Sequence, residues 1–135
     1  MEVVAEYNGG TRFAVAARGH RAICDQPPDN GGADSGMTPP EFLLASLATC
    51  AGFYAAQYLN ARQLPAQGLR VTVAAEKALH PARLAAFHIE VHTGELDPRH
   101  EAGLLRAVKS CLIHATLGAP PAIDIAICTP ACAAT

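Results

Sequence analysis

The chain contains no tryptophan, and aromatic residues make up only 5% of its 135 residues. Its interior must therefore be filled by small aliphatic side chains, which let elements approach closely. Charge is also scarce, at 16% of residues against 50% hydrophobic, a balance that excludes an intrinsically disordered chain. No basic run or stripe is present and the net charge is −2, so no nucleic-acid partner is expected. The first ten residues, MEVVAEYNGG, lack a basic region followed by an apolar run, so no signal peptide is expected. No apolar stretch of about 18 residues or more runs without polar interruption, so no transmembrane helix is expected either. These absences point to a soluble, cytoplasmic protein. The cysteine count is five, an odd number, and a reducing compartment does not support a disulfide framework. Each cysteine is then a core residue or a reactive thiol.

The length suits a single domain over residues 1–135. A chain of this size buries somewhat under about 70% of its unfolded surface, enough for a core without staples. Residues 2–7 and 12–17 read as strands joined by Asn8-Gly9-Gly10, a strong hairpin signal. After Arg18-Gly19-His20, residues 21–24 read as a third strand. Residues 25–37 are loop by composition, a length that is either functional or a mobile surface segment. In that loop Asp25, Asp29 and Asp34 are read as turn residues.

Thr38, Pro39 and Glu41 form a helix start, with Thr38 as N-cap, Pro39 in the first turn and a T-x-x-E capping box. The run from Phe42 to Leu59 is apolar nearly all round, which predicts a buried helix. Gly52 on it would permit close approach of another element. Residues 69–79 and 84–96 alternate and read as an antiparallel pair, with Phe87, Ile89 and Val91 on one face and His88, Glu90 and His92 on the other. Asp97-Pro98 opens a second helix to about Leu117, and residues 122–128 (AIDIAIC) read as a last strand. The order βββ-α-ββ-α-β predicts an α+β fold with antiparallel sheets. A single chain of this length cannot wrap so apolar a helix, so a dimer is expected.

Cys50 and Cys111 are the candidate chemical residues, one on each predicted helix. Cys50 lies too far from its helix start for the macrodipole to lower its pKa. A reactive thiolate there would need a cation from Arg12, Arg18 or Arg21. On spacing alone Cys50 reads more readily as a core cysteine than as a reactive one. Cys111 and His114, at i and i+3, can share one helix face. Cys24 ends a strand and reads as core; Cys128 and Cys132 form a weak C-x3-C near the end of the chain. His80, His88, His92 and Cys128 could feed a metal site but form no ligand pattern, so no metal or other cofactor is expected.

Two stretches carry a resemblance: G-M-T-P-P-E-F-L-L-A-S-L-A-T-C at 36–50 and C-L-I-H-A-T-L-x-x-P-P at 111–121. Together with the element order they resemble the OsmC/Ohr family, the osmotically inducible and organic-hydroperoxide-resistance proteins, in its broader OsmC-like branch. The resemblance implies an intertwined homodimer with both cysteines at the subunit interface. It implies a thiol peroxidase in which Cys50 attacks a hydroperoxide, Cys111 resolves the sulfenic acid as a disulfide, and a lipoyl- or thioredoxin-type dithiol reduces it. Arg12, with Arg18 second, would activate the thiolate. Phe42, Phe53, Tyr54 and His114 would help line a site for an apolar hydroperoxide. The best-characterised members place a Glu ten residues before the peroxidatic cysteine; that position is Pro40 here, and Glu41 stands one residue later, turned by about 100° on a helix. Two other readings stand beside the peroxidase: a non-enzymatic apolar-ligand-binding or redox-sensing dimer, and a metal-binding module.

Overall fold

The structure, a computed structural model, describes residues 1–130; Cys132 lies outside the described residues. The architecture is α+β with two antiparallel sheets and three helices. Strands β1 (Val4–Tyr7), β2 (Phe13–Ala17) and β3 (His20–Cys24) form the first sheet in the order β1-β2-β3. Gly9 and Gly10 both take positive φ, 85° and 58°, as the Asn-Gly turn requires. The 25–37 segment carries one 3₁₀ turn, Pro28–Asn30, and returns to the sheet through an isolated bridge between Cys24 and Met37.

Helix α1 spans Pro39–Ala61. The capping box forms as expected: both the Thr38 N–H and its hydroxyl donate to the Glu41 carboxylate, at 2.7 and 2.9 Å. Strands β4 (Arg70–Leu79) and β5 (Ala82–His92) pair as a long hairpin, irregular between Glu76 and Lys77. Their inward positions include Val71 and Ile89, and the outward ones His88 and Glu90, as the alternation predicts. Strand β5 ends at His92 rather than 96, where Thr93-Gly94 leaves the ladder.

The core is small-residue packing. Ala51, Ala55, Leu104 and Val108 are buried together, with Tyr58, Leu69, Val71, Ile89, Val91 and Leu96 packed around them. The close approach sits elsewhere than expected. A Cβ on Gly52 would meet Val71 at an ordinary 3.6 Å, whereas one on Gly103 would collide with the Tyr58 ring and hydroxyl. Gly103 is therefore what lets α2 reach α1.

Two expectations are corrected. The second helix is broken. Asp97 caps a 3₁₀ turn, Pro98–His100, that leads into α2 (Glu101–Lys109); α3 (Leu112–Gly118) then starts afresh. At the break the Ser110 hydroxyl donates back to the Arg106 carbonyl at 3.1 Å, and Cys111 turns to extended backbone as N-cap of α3. Second, residues 122–128 form no strand. Ile123, Ile125 and Ile127 are 80%, 87% and 83% exposed. Alternation makes a strand only beside an open edge, and within this chain the segment meets none. As expected for so apolar a helix in a chain of this length, α1 is not enclosed within one chain. Its buried stripe is Leu47, Ala51, Ala55 and Leu59, while Phe53 is 60% exposed.

Helix α1 is also long and apolar enough to cross a membrane by length and composition, with a mean hydropathy of 1.4, because the small polar residues Ser46 and Thr49 interrupt it only weakly. In this fold it is the central helix, packed by β4, α2 and α3. The first sheet has no extensive contact with any helix of its own chain.

Candidate active site

Cys50 stands in the middle of α1, where its side chain faces the break between α2 and α3. The break is what makes the site. Because Cys111 is an N-cap and not a mid-helix residue, the first N–H groups of α3 have no helical carbonyl partner. The Leu112 and Ile113 N–H groups and the Cys111 thiol instead lie where they favour the ionised form of Cys50. The His114 N–H donates to the Cys111 sulfur at 3.4 Å.

These contacts divide the two thiols. Burial pushes Cys50 up, but the Cys111 thiol and the Ile113 and Leu112 N–H groups outweigh it, so Cys50 titrates below an ordinary cysteine. Cys111 is fully buried, and its burial and its proximity to Cys50 hold it above the ordinary value, only partly offset by the His114 and Ile113 N–H groups. Of the two, Cys50 therefore ionises more readily and Cys111 keeps its proton more firmly. Both are free thiols.

The remaining expected residues are not gathered around this pair within one chain. No arginine acts on Cys50. Arg12 sits at the β1–β2 hairpin, its N–H donating to the Gly9 carbonyl at 3.0 Å. Arg18 occupies the other end of the sheet with φ 53°. Glu41 is committed to the capping box, and the Thr38 N–H followed by its hydroxyl holds the carboxyl below its usual range. Phe53 and Tyr54 pack edge-to-face at 5.3 Å, and Phe42 is half-buried. None of the three lines the main groove, a space of 590 Å³ between β5 and α2. Its floor is Phe87, Ile89, Val91 and Leu104, and its polar rim includes Lys109 and His114, the last being the one expected lining residue found there.

Sequence reasoning missed two features. One is the pair of backbone donors at Leu112 and Ile113, which only the helix break exposes. The other is Asp25, expected to serve a turn: it is 0% exposed, with five hydrogen bonds to its carboxylate. Among the described residues no three His, Cys, Asp or Glu side chains converge to hold a metal ion. His88 and His92 each reach the Glu90 carboxylate at 3.3 Å on the outer face of β5.

The model of the OsmC-like protein family matches residues 31–126, which hold the second half of the loop, α1, both thiols and the second sheet. No curated protein matches the chain. Among solved structures, a protein from Psychrobacter arcticus described as an osmotic stress induced and detoxification response protein is 22% identical, with 84% of this chain and 85% of that one covered and a TM-score of 0.77. An OsmC-like protein from Mycoplasma pneumoniae is 19% identical, with coverage of 88% and 87% and a TM-score of 0.70. An organic hydroperoxide resistance protein OsmC from Legionella pneumophila is 17% identical, with coverage of 88% and 90% and a TM-score of 0.62. At these identities the structures establish a shared fold. The family match spans most of the chain and includes the thiol pair, and the chain belongs to the OsmC-like protein family.

Proposed function

We propose that the protein is a cysteine-based hydroperoxide reductase acting as a homodimer. The observation that carries this is the pair of free thiols brought together at the α2–α3 break, Cys50 in the middle of α1 and Cys111 as N-cap of α3. The Cys50 thiolate attacks the terminal peroxide oxygen, the O–O bond breaks, and the alkoxide leaves and is protonated to the alcohol. Cys50 becomes a sulfenic acid. Cys111 then attacks the sulfenic sulfur, hydroxide departs as water with the Cys111 proton, and a disulfide remains. A small dithiol, of lipoyl or thioredoxin type in the cytoplasm, restores both thiols by exchange. The Leu112 and Ile113 N–H groups suit stabilisation of the thiolate and of the oxygen that develops negative charge.

A second copy of the chain completes the site in this reading. The first sheet and the exposed face of α1 around Phe53 lack partners in one chain, and Cys50 lacks a cation. Arg12 of the second copy is the cation proposed for it. The groove beside His114 suits the hydrocarbon part of an organic hydroperoxide.

The test is consumption of cumene hydroperoxide and of hydrogen peroxide with dihydrolipoamide as donor, followed by thiol counting. Multiple turnovers with loss of two thiols on oxidation, abolished in Cys50→Ser, support the reading. Turnover retained in Cys50→Ser overturns it. The commitment of Glu41 to the cap favours one alternative, a dimer that binds apolar ligands or senses oxidants without turnover; it predicts a slow disulfide and no multiple turnover.

A further inference from the structure

The segment between the first sheet and α1 is organised around one carboxylate. Asp25 accepts from the Thr11 hydroxyl at 2.6 Å, the Gln26 N–H at 2.8 Å, the Ala33 N–H at 3.2 Å, and the Ser35 N–H and hydroxyl at 3.0 and 2.7 Å. Its oxygens are saturated, and the hydrogen bonds from Ser35 and Thr11 hold the carboxyl ionised, well below the usual range. An ionised group buried with this many donors costs little desolvation and fixes its partners in place.

Those partners come from three places. Thr11 is at the tip of the β1–β2 hairpin, Asp25 itself follows β3, and Ala33 and Ser35 lie just before the α1 cap. Further ties run in the same direction. The Asp25 N–H donates to the Met37 carbonyl at 3.3 Å, and the Asp34 N–H to the Gln26 carbonyl at 3.0 Å. A Cβ on Gly32 or Gly36 would collide with the backbone of Gln26 or Ile23. The 25–37 segment is therefore a close-packed clasp and has no freedom to act as a lid. It welds the first sheet to the start of α1, although that sheet touches little else in its own chain.

We infer that Asp25 is a positioning residue for the thiol site: through Thr11 it holds the hairpin that carries Arg12, and so sets where that guanidinium meets Cys50 of a second copy. This rests on the proposal that Arg12 activates Cys50. The clasp also separates the two candidate cations. Arg12 is adjacent to Thr11 at the clasped end of the sheet, beside the Phe13–Cys24 pair, while Arg18 follows the Ala17–His20 pair at the unclasped end. Of the two, only Arg12 is next to a residue bonded to the carboxylate.

The experiment is the pH dependence of Cys50 alkylation by iodoacetamide in the full chain, followed by peptide mass spectrometry so that the other thiols do not contribute. Arg12→Ala is expected to move the midpoint up by about one unit, a tenfold loss of thiolate well below the midpoint. Thr11→Val removes only the hydroxyl that links the hairpin to Asp25 and keeps the other four bonds. It should move the midpoint in the same direction by several-fold in thiolate, with no change in the high-pH plateau. Thr11→Ser should restore the wild-type profile, and Asp25→Asn, where it folds, should match Arg12→Ala and add nothing to it in the double variant. If Thr11→Val lowers the melting temperature but leaves the profile in place while Arg12→Ala shifts it, Asp25 is scaffold only and the inference falls. If Arg12→Ala itself leaves the profile in place, the failure lies with the proposed role of Arg12.

Discussion

Cys50 on α1 and Cys111 at the cap of α3 lie near enough for each to shift the other's titration, Cys50 downward and Cys111 upward. That proximity favours one division of roles, with Cys50 losing its proton more readily and Cys111 keeping it more firmly. It also makes the pair separable by mutation. Cys111→Ala removes the donor and should raise the Cys50 alkylation midpoint. Cys111→Ser keeps a hydroxyl donor and should leave the midpoint near wild type. Neither variant can form the resolving disulfide, so each should consume one equivalent of hydroperoxide and stop. Iodoacetamide kinetics against pH, with peroxide titration, read both effects. Equal midpoints in the two variants would show that a donor at position 111 does not set the Cys50 pKa.

Acid stability follows from the two depressed carboxyls. Hydrogen bonds from Ser35 and Thr11 lower Asp25 from 3.8, and the Thr38 N–H and hydroxyl lower Glu41 from 4.5. A carboxyl depressed by folding stabilises fully above its unfolded-state value and loses that contribution as pH falls through its folded value. These two groups should therefore add no pH dependence between pH 5.5 and 8, roughly one unit or more above both values. Below about 4 the melting temperature should decline. Asp25→Asn should show a lower plateau and a shallower acid decline in thermal melts. An unchanged acid limb in that variant would mean the carboxyl is not held below its ordinary value.

Gly103 offers a packing test away from the thiols. A methyl group there would overlap the Tyr58 ring, whose hydroxyl bonds His100 Nδ1 at 3.2 Å and whose face carries Arg62 at 3.7 Å. Gly103→Ala gains about 1 kcal/mol of helix propensity but must push α2 off α1. Overpacking of this kind costs about 1–3 kcal/mol, so the variant should be destabilised overall in urea unfolding. A stabilised Gly103→Ala would show that α2 and α1 have room to separate at no cost.

Much of the fold was legible because local signals and tertiary structure agree. The Asn8-Gly9-Gly10 hairpin, the Thr38–Glu41 capping box and the β5 alternation each form as read. The site was legible in its two cysteines but not in its geometry. Residues 98–117 look like one helix because nothing in the K-S-C-L run forbids helix strongly. The break comes where Cys111 takes the cap of a new helix, a choice that no side chain in the run signals strongly. Asp25 was hidden for a related reason. Its donors come from Thr11 and from residues 33–35, so its burial is a product of folding and not of its neighbours in sequence.

The isoleucine segment near the end of the described chain tests the homodimer. Ile123, Ile125 and Ile127 alternate with Ala122, Asp124, Ala126 and Cys128, yet all three are exposed. In a monomer, Ile125→Lys changes a solvent-facing side chain and should alter stability by no more than about 0.5 kcal/mol. In a dimer whose second copy covers this row, the same change buries an unpaired charge in an apolar interface and costs several kcal/mol. Sedimentation velocity over a concentration series distinguishes the two. A wild-type dimer that dissociates in Ile125→Lys, with far-UV circular dichroism unchanged and peroxide turnover lost, is the expected outcome. That combination would place the partner copy in the catalytic unit, because the variant touches neither Cys50 nor Cys111. A monomeric wild type with full turnover would instead mean that Cys50 draws its activation from Cys111 and the Leu112 and Ile113 N–H groups alone.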